Sequence, residues 1–238
     1  MIASLIITDT ETQGLDPAKH AAIEVAVAMW SVPHRTMTAC YSTLIRADGN
    51  EAEAINRIPA IALGFAPPPD YAWRAVGAFI EKKQPHATAA FVAHRASFDR
   101  SFYPKEIADS RPWICSKFDI DWPRSKPGAS LVEVALAHDV PVAFNHRALA
   151  DVLLLVRIFE RVAELGYDID AMIAKAMRPK ALFEVEDKTF DAERNAQAKA
   201  LGFAWEAATK SWRRHLAIED APTLPFRVRQ VSAPPAGE

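Results

Sequence analysis

Three short stretches near the N-terminus have the spacing of β-strands. Residues 2–8 form an apolar run of strand length, and residues 22–30 place apolar side chains at every second position. Residues 38–46 resemble them, and the connections between the three are short and contain glycine or proline. Because short turns join neighbouring strands that run in opposite directions, the pattern predicts an antiparallel three-stranded start.

Helical and strand patterns alternate after a proline-rich loop. Residues 71–83 carry apolar side chains on one helical face, and residues 89–93 form a continuous apolar strand. Ser97 is predicted to cap the helix that follows. The later elements are a short strand at 113–115 and helices at 130–138 and 147–164. A meander followed by a βαβα order predicts an α/β fold, with a mixed sheet flanked by helices, over residues 1–174.

The sequence changes character after residue 174. Residues 181–186 are predicted to form a strand, residues 192–201 a helix that ends at Gly202, and residues 203–214 a hairpin. This basic segment includes Trp205, Trp212, Arg213 and Arg214. We expect a small α+β module over 175–217, either a nucleic-acid-binding module or a small hydrophobic core with a solvated basic rim. Residues 218–238 are predicted to form a flexible tail.

The composition limits the class of protein. The chain has 238 residues, of which 50% are hydrophobic, so it can fill the core of one good-sized domain with a small appendage. It has 28 basic and 30 acidic residues and a net charge of −2, which argues against binding nucleic acid by bulk electrostatics. This balance does not exclude nucleic acid as a substrate that metal ions hold. No GxGxxG or GxxxxGK[ST] loop occurs, which disfavours two classes of nucleotide chemistry.

The sequence predicts neither export nor a membrane location. No apolar run reaches the ~18 residues of a membrane span, and the first residues lack the basic start of a signal peptide. The chain is therefore expected to be cytoplasmic. Its two cysteines, Cys40 and Cys115, are expected to be reduced thiols packed in the core.

The candidate chemistry begins at Asp9 and Glu11. These positions share one face of a strand, so both carboxylates leave the core on the same side. Two like charges that close repel unless a cation lies between them, and hard cations such as Mg²⁺ take carboxylate oxygens as ligands. Taken alone, such a tripeptide is also typical of a turn or a solvated strand end.

Three further polar residues lie at helix starts. Asp99 is in the first turn of the helix after strand 89–93, where a helix dipole alone also favours an acid. His146 and Asp151 are five positions apart, which is ~140° around an ideal helix. They can face one site if His146 precedes the helix and turns back over it. Each of the three is also typical of a helix cap or a solvated residue.

Taken together, four carboxylates and one histidine supply what two-metal phosphodiester cleavage requires. Two cations ~3.5–4 Å apart stabilise the attacking and leaving oxygens of an in-line displacement. A base that titrates near neutral pH takes a proton from the attacking water, and histidine suits that task.

The order of these motifs resembles a known family. Asp9-x-Glu11, then Asp99 in a His-x-x-x-Phe-Asp segment, then His146-x₄-Asp151 are similar to the DEDD-h (DnaQ-like) 3′–5′ exonucleases. That family includes polymerase proofreading subunits, oligoribonuclease and exodeoxyribonuclease X, and the segments around these motifs are most similar to the exodeoxyribonuclease X branch. The resemblance covers about residues 1–165. Residues 199–213 also look like a small C-terminal module of some relatives.

The resemblance implies an RNase H-like fold and two Mg²⁺ or Mn²⁺ ions. It implies that Asp9 bridges both ions and that His146 is the general base. The residues implied to complete the metal shells are Glu11, Asp99 and Asp151. The residues implied to contact the substrate are Thr10, Thr12, Phe98 and Arg95. Arg95 stands where the family usually has Asn, and Gln13 where Thr is common, so these departures concern substrate preference more than catalysis.

The sequence thus predicts a metal-dependent 3′–5′ exonuclease that releases nucleoside 5′-monophosphates from DNA, either single-stranded or at the 3′ ends of a duplex. One alternative is an exoribonuclease or oligoribonuclease. Another is a DNA-binding or polymerase-associated proofreading module. The sequence leaves open whether the partner is a polymerase or a second copy of the chain.

Overall fold

The structure, a computed structural model, describes residues 2–83, 88–143, 146–186, 192–207 and 209–232. Contacts within the chain divide it into two compact units. The N-terminal unit comprises Met1–Ser125 and Ala129–Ala176, and the C-terminal unit comprises Lys126–Gly128 and Met177–Glu238.

A five-stranded mixed sheet forms the centre of the N-terminal unit. Its strands are β1 (Ser4–Thr12), β2 (Ala22–Ser31), β3 (Thr36–Leu44), β4 (Ala89–Ala93) and β5 (Trp113–Cys115), in the order β3-β2-β1-β4-β5. The first three strands pair antiparallel, as predicted. β4 pairs parallel to β1, and β5 pairs parallel to β4. The central position of β1 explains why residues 4–8 are buried on both faces.

Helices flank this sheet, as the sequence predicted. They are α1 (Glu53–Asn56), α2 (Ala60–Leu63), α3 (Pro69–Lys83), α4 (Ala96–Phe102), α5 (Lys105–Ala108), α6 (Leu131–Ala137), α7 (Ala148–Glu164) and α8 (Ile169–Ala176). Val76 of α3 packs in one buried cluster with Ile6 and Met29 of the sheet. Trp30, the next residue along β2, packs against Phe159 of α7 with ring centroids 5.4 Å apart. Because strand side chains alternate between faces, α3 and α7 cover opposite faces of the sheet.

Two local predictions in this unit are wrong. Ser97 does not cap α4, because the helix already begins at Ala96 and the cap position is held by Arg95 without a side-chain hydrogen bond. Cys40 is not a core residue, because β3 is the edge strand and alternate side chains, Cys40 among them, are exposed. Cys115 is half-buried, and both thiols are unpaired.

The described residues of the C-terminal unit form a four-stranded antiparallel sheet and one α-helix. Its elements are β6 (Lys180–Val185), α9 (Ala192–Ala200), β7 (Ala204–Glu206), β8 (Ser211–Ala217), a 3₁₀ helix (Ile218–Thr223) and β9 (Val228–Gln230). The strand order is β7-β8-β6-β9, so β6 pairs with both β8 and β9. The predicted β7–β8 hairpin forms. Gly202, with a φ of 81°, ends α9 in the left-handed conformation that glycine tolerates.

The flexible tail predicted from residue 218 is wrong for residues 218–230. This segment contains the 3₁₀ helix and β9. Leu224, Phe226 and Val228 pack against the buried core of the unit, which includes Phe183 and Leu216. These three residues lie two positions apart, a short period-two pattern that the prediction of a tail did not take into account. Residues 233–238 of the predicted tail lie outside the described residues.

Within the part of the chain that the structure describes, no helix combines the length and apolar character needed to cross a membrane.

Candidate active site

The end of β1 and the start of α7 bring three carboxylates together. Asp9 and Glu11 are half-buried on one face of β1, and Asp151 lies in the first turn of α7. One carboxylate oxygen from each lies within 4.8 Å of the others. That spacing allows all three side chains to contact one cation.

Asp99 joins the site from α4 and is almost fully buried, with 2% of its surface exposed. Its Oδ1 accepts hydrogen bonds from the backbone N–H and the hydroxyl of Thr10, both at 3.0 Å. Thr10 therefore holds this carboxylate against β1. The resemblance implied a substrate contact for Thr10, and the structure adds this contact with a catalytic candidate.

His146 lies two residues before α7, so it precedes the helix as the spacing to Asp151 required. Its φ is 61°, a left-handed conformation that is uncommon for a side chain larger than glycine. Its backbone N–H donates to Oδ2 of Asp151 at 3.2 Å. The chain thus turns back at this point, and both residues line the same cleft.

This cleft has a volume of about 610 Å³ and contains all five predicted catalytic residues. Of the predicted substrate residues, Thr10, Arg95 and Phe98 line it. The guanidinium of Arg95 lies 5.7 Å from the centre of the Phe98 ring. Thr12 is not among the described lining residues, because its side chain is buried and its hydroxyl donates to the carbonyl of Gly14 at 2.7 Å.

Burial raises the pKa of each of the four carboxyl groups. It raises the pKa of Asp9 well above its usual range, and the charges of Asp99 and Asp151 raise it further. Burial together with the charge of Asp151 raises the pKa of Glu11 to about 8. Burial raises the pKa of Asp99 to about 7, although the hydrogen bonds from Thr10 lower it, and burial also raises the pKa of Asp151.

A hard divalent cation fits this cluster. Like charges that lower one another's ionisation are stabilised when a positive ion lies among them. The donors are carboxylate oxygens, the ligands that Mg²⁺ and Mn²⁺ prefer. The cluster of Asp9, Glu11 and Asp151, with Asp99 beside it, therefore has the chemistry of a metal site.

Of the cleft residues to which the sequence assigned no role, two are ionisable, His94 and Lys117. The His94 ring lies between the Ser116 hydroxyl at 3.0 Å and the Ala129 carbonyl at 3.1 Å. Burial lowers the pKa of His94 to about 4, so its ring is neutral at physiological pH. Lys117 follows β5 and gives the cleft a positive charge. Their positions after two parallel neighbouring strands are the signal that could have found them.

Comparisons with known proteins support the fold. The chain is similar to the solved structure "Exonuclease X in complex with 5′ overhanging duplex DNA", at 24% identity over 72% of this chain and 99% of that chain, with a TM-score of 0.53. It is also similar to E. coli exonuclease I in complex with a dA16 oligonucleotide, at 13% identity over 83% of this chain and 50% of that chain, with a TM-score of 0.54. The N-terminal unit thus has an RNase H-like fold, as the family resemblance implied.

A third similar structure is a 3′-exonuclease in "3′-end specific recognition of histone mRNA stem-loop", at 14% identity over 69% of this chain and 65% of that chain, with a TM-score of 0.54. Residues 189–231 match a family described as a domain of unknown function, DUF8626. No curated protein sequence matches the chain.

Proposed function

We propose that the protein is a metal-dependent 3′–5′ exonuclease that hydrolyses DNA to nucleoside 5′-monophosphates. The observation that carries this proposal is the convergence of Asp9, Glu11 and Asp151 within 4.8 Å. His146 lines the same cleft as this cluster. Carboxylates that accept a cation and a histidine beside them are the elements of metal-assisted phosphodiester hydrolysis.

Each side chain then has a role in the reaction. Asp9, Glu11, Asp99 and Asp151 would hold the two Mg²⁺ or Mn²⁺ ions. The ions, when bound, stabilise the negative charge that develops on the attacking and leaving oxygens. His146 takes the proton from the attacking water, because histidine accepts protons near neutral pH. Thr10 keeps Asp99 in place through its two hydrogen bonds.

The positive side chains of the cleft favour a phosphodiester substrate. Arg95 and Lys117 line the cleft together with the carboxylates. A polyanion needs such cations, because phosphates are repelled by any acidic charge that metal ions leave unbalanced. Phe98 offers a ring on which a terminal base can stack. DNA is our first choice because two similar proteins were solved in complex with DNA. RNA is the second candidate, since a third is described as recognising an mRNA stem-loop.

A digest of end-labelled nucleic acids tests the proposal. Single-stranded DNA, duplex DNA and RNA, each labelled at the 5′ end, are incubated with Mg²⁺ and with EDTA. We expect a ladder that shortens from the 3′ end, released 5′-monophosphates, and no reaction in EDTA. Asp9→Asn keeps the shape of the side chain and removes its charge, so it should lower the rate by about 10⁴-fold or more. Internal cuts, or no cleavage of any substrate by the wild type, would contradict the proposal.

For the C-terminal unit we propose an auxiliary contact with single-stranded DNA through Trp205. This residue is 43% exposed on the edge strand β7. Trp212 packs beside it, with ring centroids 5.7 Å apart, and its indole N–H donates to Asn195. Among the basic residues, Arg213 and Arg229 bind Glu184. The aromatic side chain is therefore a better candidate for the contact than these paired charges.

A further inference from the structure

Glu24 is a buried carboxylate that the proposed chemistry does not use. It lies on β2 directly opposite Glu11 on β1, and 4% of its surface is exposed. Like charges opposite one another destabilise a sheet, and a buried carboxylate is costly unless it has partners. A residue kept at this position therefore needs strong contacts elsewhere.

Those contacts come from the start of α7. Nε and Nη2 of Arg147 donate to the two oxygens of Glu24, each at 2.9 Å. The backbone N–H of Ala148, the first residue of α7, donates to Oε2 of Glu24 at 3.0 Å. Two parallel bonds from an arginine match the geometry of a carboxylate, and the third satisfies a helix N–H that has no partner within the helix. We call these three bonds the Glu24 clamp.

The clamp acts on the segment that carries His146. A left-handed residue other than glycine persists only where its surroundings hold it. One contact that holds His146 is its N–H bond to Asp151, but that carboxylate also belongs to the metal cluster. The Glu24 clamp binds the next two residues along the chain without using any oxygen of the cluster. It therefore fixes the turn whatever Asp151 binds.

We propose that Glu24 and Arg147 are positioning residues that hold His146 over the cleft. The inference rests on the proposed function and adds to it a pair of residues that do not touch the reacting atoms. Arg147 is 45% exposed, and an arginine with that exposure is also able to bind a phosphate of the substrate. The experiment separates the two roles.

The first measurement is steady-state cleavage of 5′-labelled single-stranded DNA by Glu24→Gln, Arg147→Gln and the double variant. We expect kcat to fall about 10- to 100-fold in each single variant, as for residues that orient catalytic groups. KM should stay within about twofold of the wild-type value. The kcat of the double variant should be no lower than that of either single variant, because both substitutions break the same contact. Glu184→Gln is the matched control, a second buried carboxylate bound by arginines, and should leave kcat unchanged.

The second measurement does not depend on activity. Amide hydrogen exchange of residues 146–151 in the metal-free protein should become about tenfold faster in Glu24→Gln, because the clamp no longer holds the turn. The melting temperature of the variant should change little. Its affinity for Mn²⁺, measured by calorimetry, should fall only modestly, because the charge of Glu24 also acts on Asp9, Glu11 and Asp151. If Glu24→Gln does not fold, Arg147→Gln takes its place, since that side chain is half-exposed.

Several results would overturn the inference. Unchanged kcat and unchanged exchange in both single variants would show that nothing depends on the clamp. A KM that rises in Arg147→Gln alone would show that Arg147 binds substrate. Abolished Mn²⁺ binding in Glu24→Gln, rather than the modest weakening that follows from losing a nearby charge, would place Glu24 in the metal site. A wild type that cleaves no nucleic acid would refute the proposed function, and the exchange data would still decide whether Glu24 holds the turn.

Discussion

The pKa values of buried carboxyl groups are shifted in opposite directions in the two units of the molecule. In the N-terminal unit, burial raises the pKa of Glu11 to about 8, and the neighbouring acids add to the effect. In the C-terminal unit, Glu184 is 2% exposed, yet hydrogen bonds from Arg229 and Arg213 lower its pKa to about 2. Glu184 is less exposed than the half-buried Glu11, so exposure does not explain its lower pKa, and the difference lies in the partners of the two carboxylates.

This difference distinguishes a site that can bind a cation from a carboxylate that stabilises the fold. Ser211, Arg213 and Arg229 give Glu184 its donors within the fold, so it needs no ligand. The cluster of Asp9, Glu11 and Asp151 has an arginine nearby, but Arg147 directs two of its donors to Glu24. The negative charges of the cluster are therefore not balanced by this arginine, and a divalent cation would balance them.

Among the variants that keep all four carboxylates of the site, the largest expected effect comes from removing the base. His146→Ala should lower the rate of cleavage by about 10²- to 10⁴-fold, because the attacking water loses its proton acceptor. Mn²⁺ binding, measured by calorimetry, should survive. His34→Ala removes another exposed histidine of the same unit and is the control. Equal turnover of His146→Ala and wild type would contradict the assignment of the base.

The pH dependence of stability should differ between the two sites. A carboxyl whose folded pKa is raised binds more protons in the native state, so stability falls as pH rises from about 4.5 to about 8. Without metal, the melting temperature of the N-terminal unit should drop by about 4 °C or more across this window, and Mn²⁺ should restore it at pH 8. Glu184 has the opposite sign, and its stabilisation is lost as pH falls from about 4.5 to about 2. If the metal-free N-terminal unit melts at a higher temperature at pH 8 than at pH 5, the carboxyl groups of the cluster do not have raised pKa values.

Replacing Glu184 should affect stability alone. Glu184→Ala leaves Arg213 and Arg229 without their carboxylate and should lower the free energy of unfolding of the C-terminal unit by about 2 kcal/mol. Urea unfolding followed by tryptophan fluorescence measures this loss. Glu219→Ala, which removes an exposed partner of Arg178, should cost less than about 0.5 kcal/mol. A large fall in kcat with Glu184→Ala would refute the contrast between the two sites.

The smallest expected effect concerns Trp205. Trp205→Ala should raise KM for single-stranded DNA about fivefold, the lower end of what stacking on one base contributes, with little change in kcat. Tyr167→Ala is the control, because Tyr167 is 40% exposed in the N-terminal unit and Trp205 is 43% exposed. An unchanged KM would mean that the aromatic residues of the C-terminal unit serve only its own core.

Most of the fold follows from local sequence patterns, but the contacts between residues of different strands and helices near the site do not. Period-two and helical spacing predict β1, β2 and α7 to within a few residues. Glu24 meets Glu11 because of the register between two strands, and that register shifts at a bulge just after Glu11. No local pattern specifies such a register, nor the pairing of β9 with β6. The catalytic candidates could be predicted because their spacing forms a sequence motif. The residues of the Glu24 clamp form no such motif.

The position of β6 has a consequence for the family matched at residues 189–231. The match begins after β6, yet β6 is the strand that joins β8 to β9. A segment cut at the family boundaries would contain β7, β8 and β9 without the strand between them, and its two edges would be left unpaired. Such a segment can move between proteins as a folded unit only if it carries its own equivalent of Lys180–Val185 or borrows a strand from its new host. The folded C-terminal unit is therefore longer than the segment that the family matches.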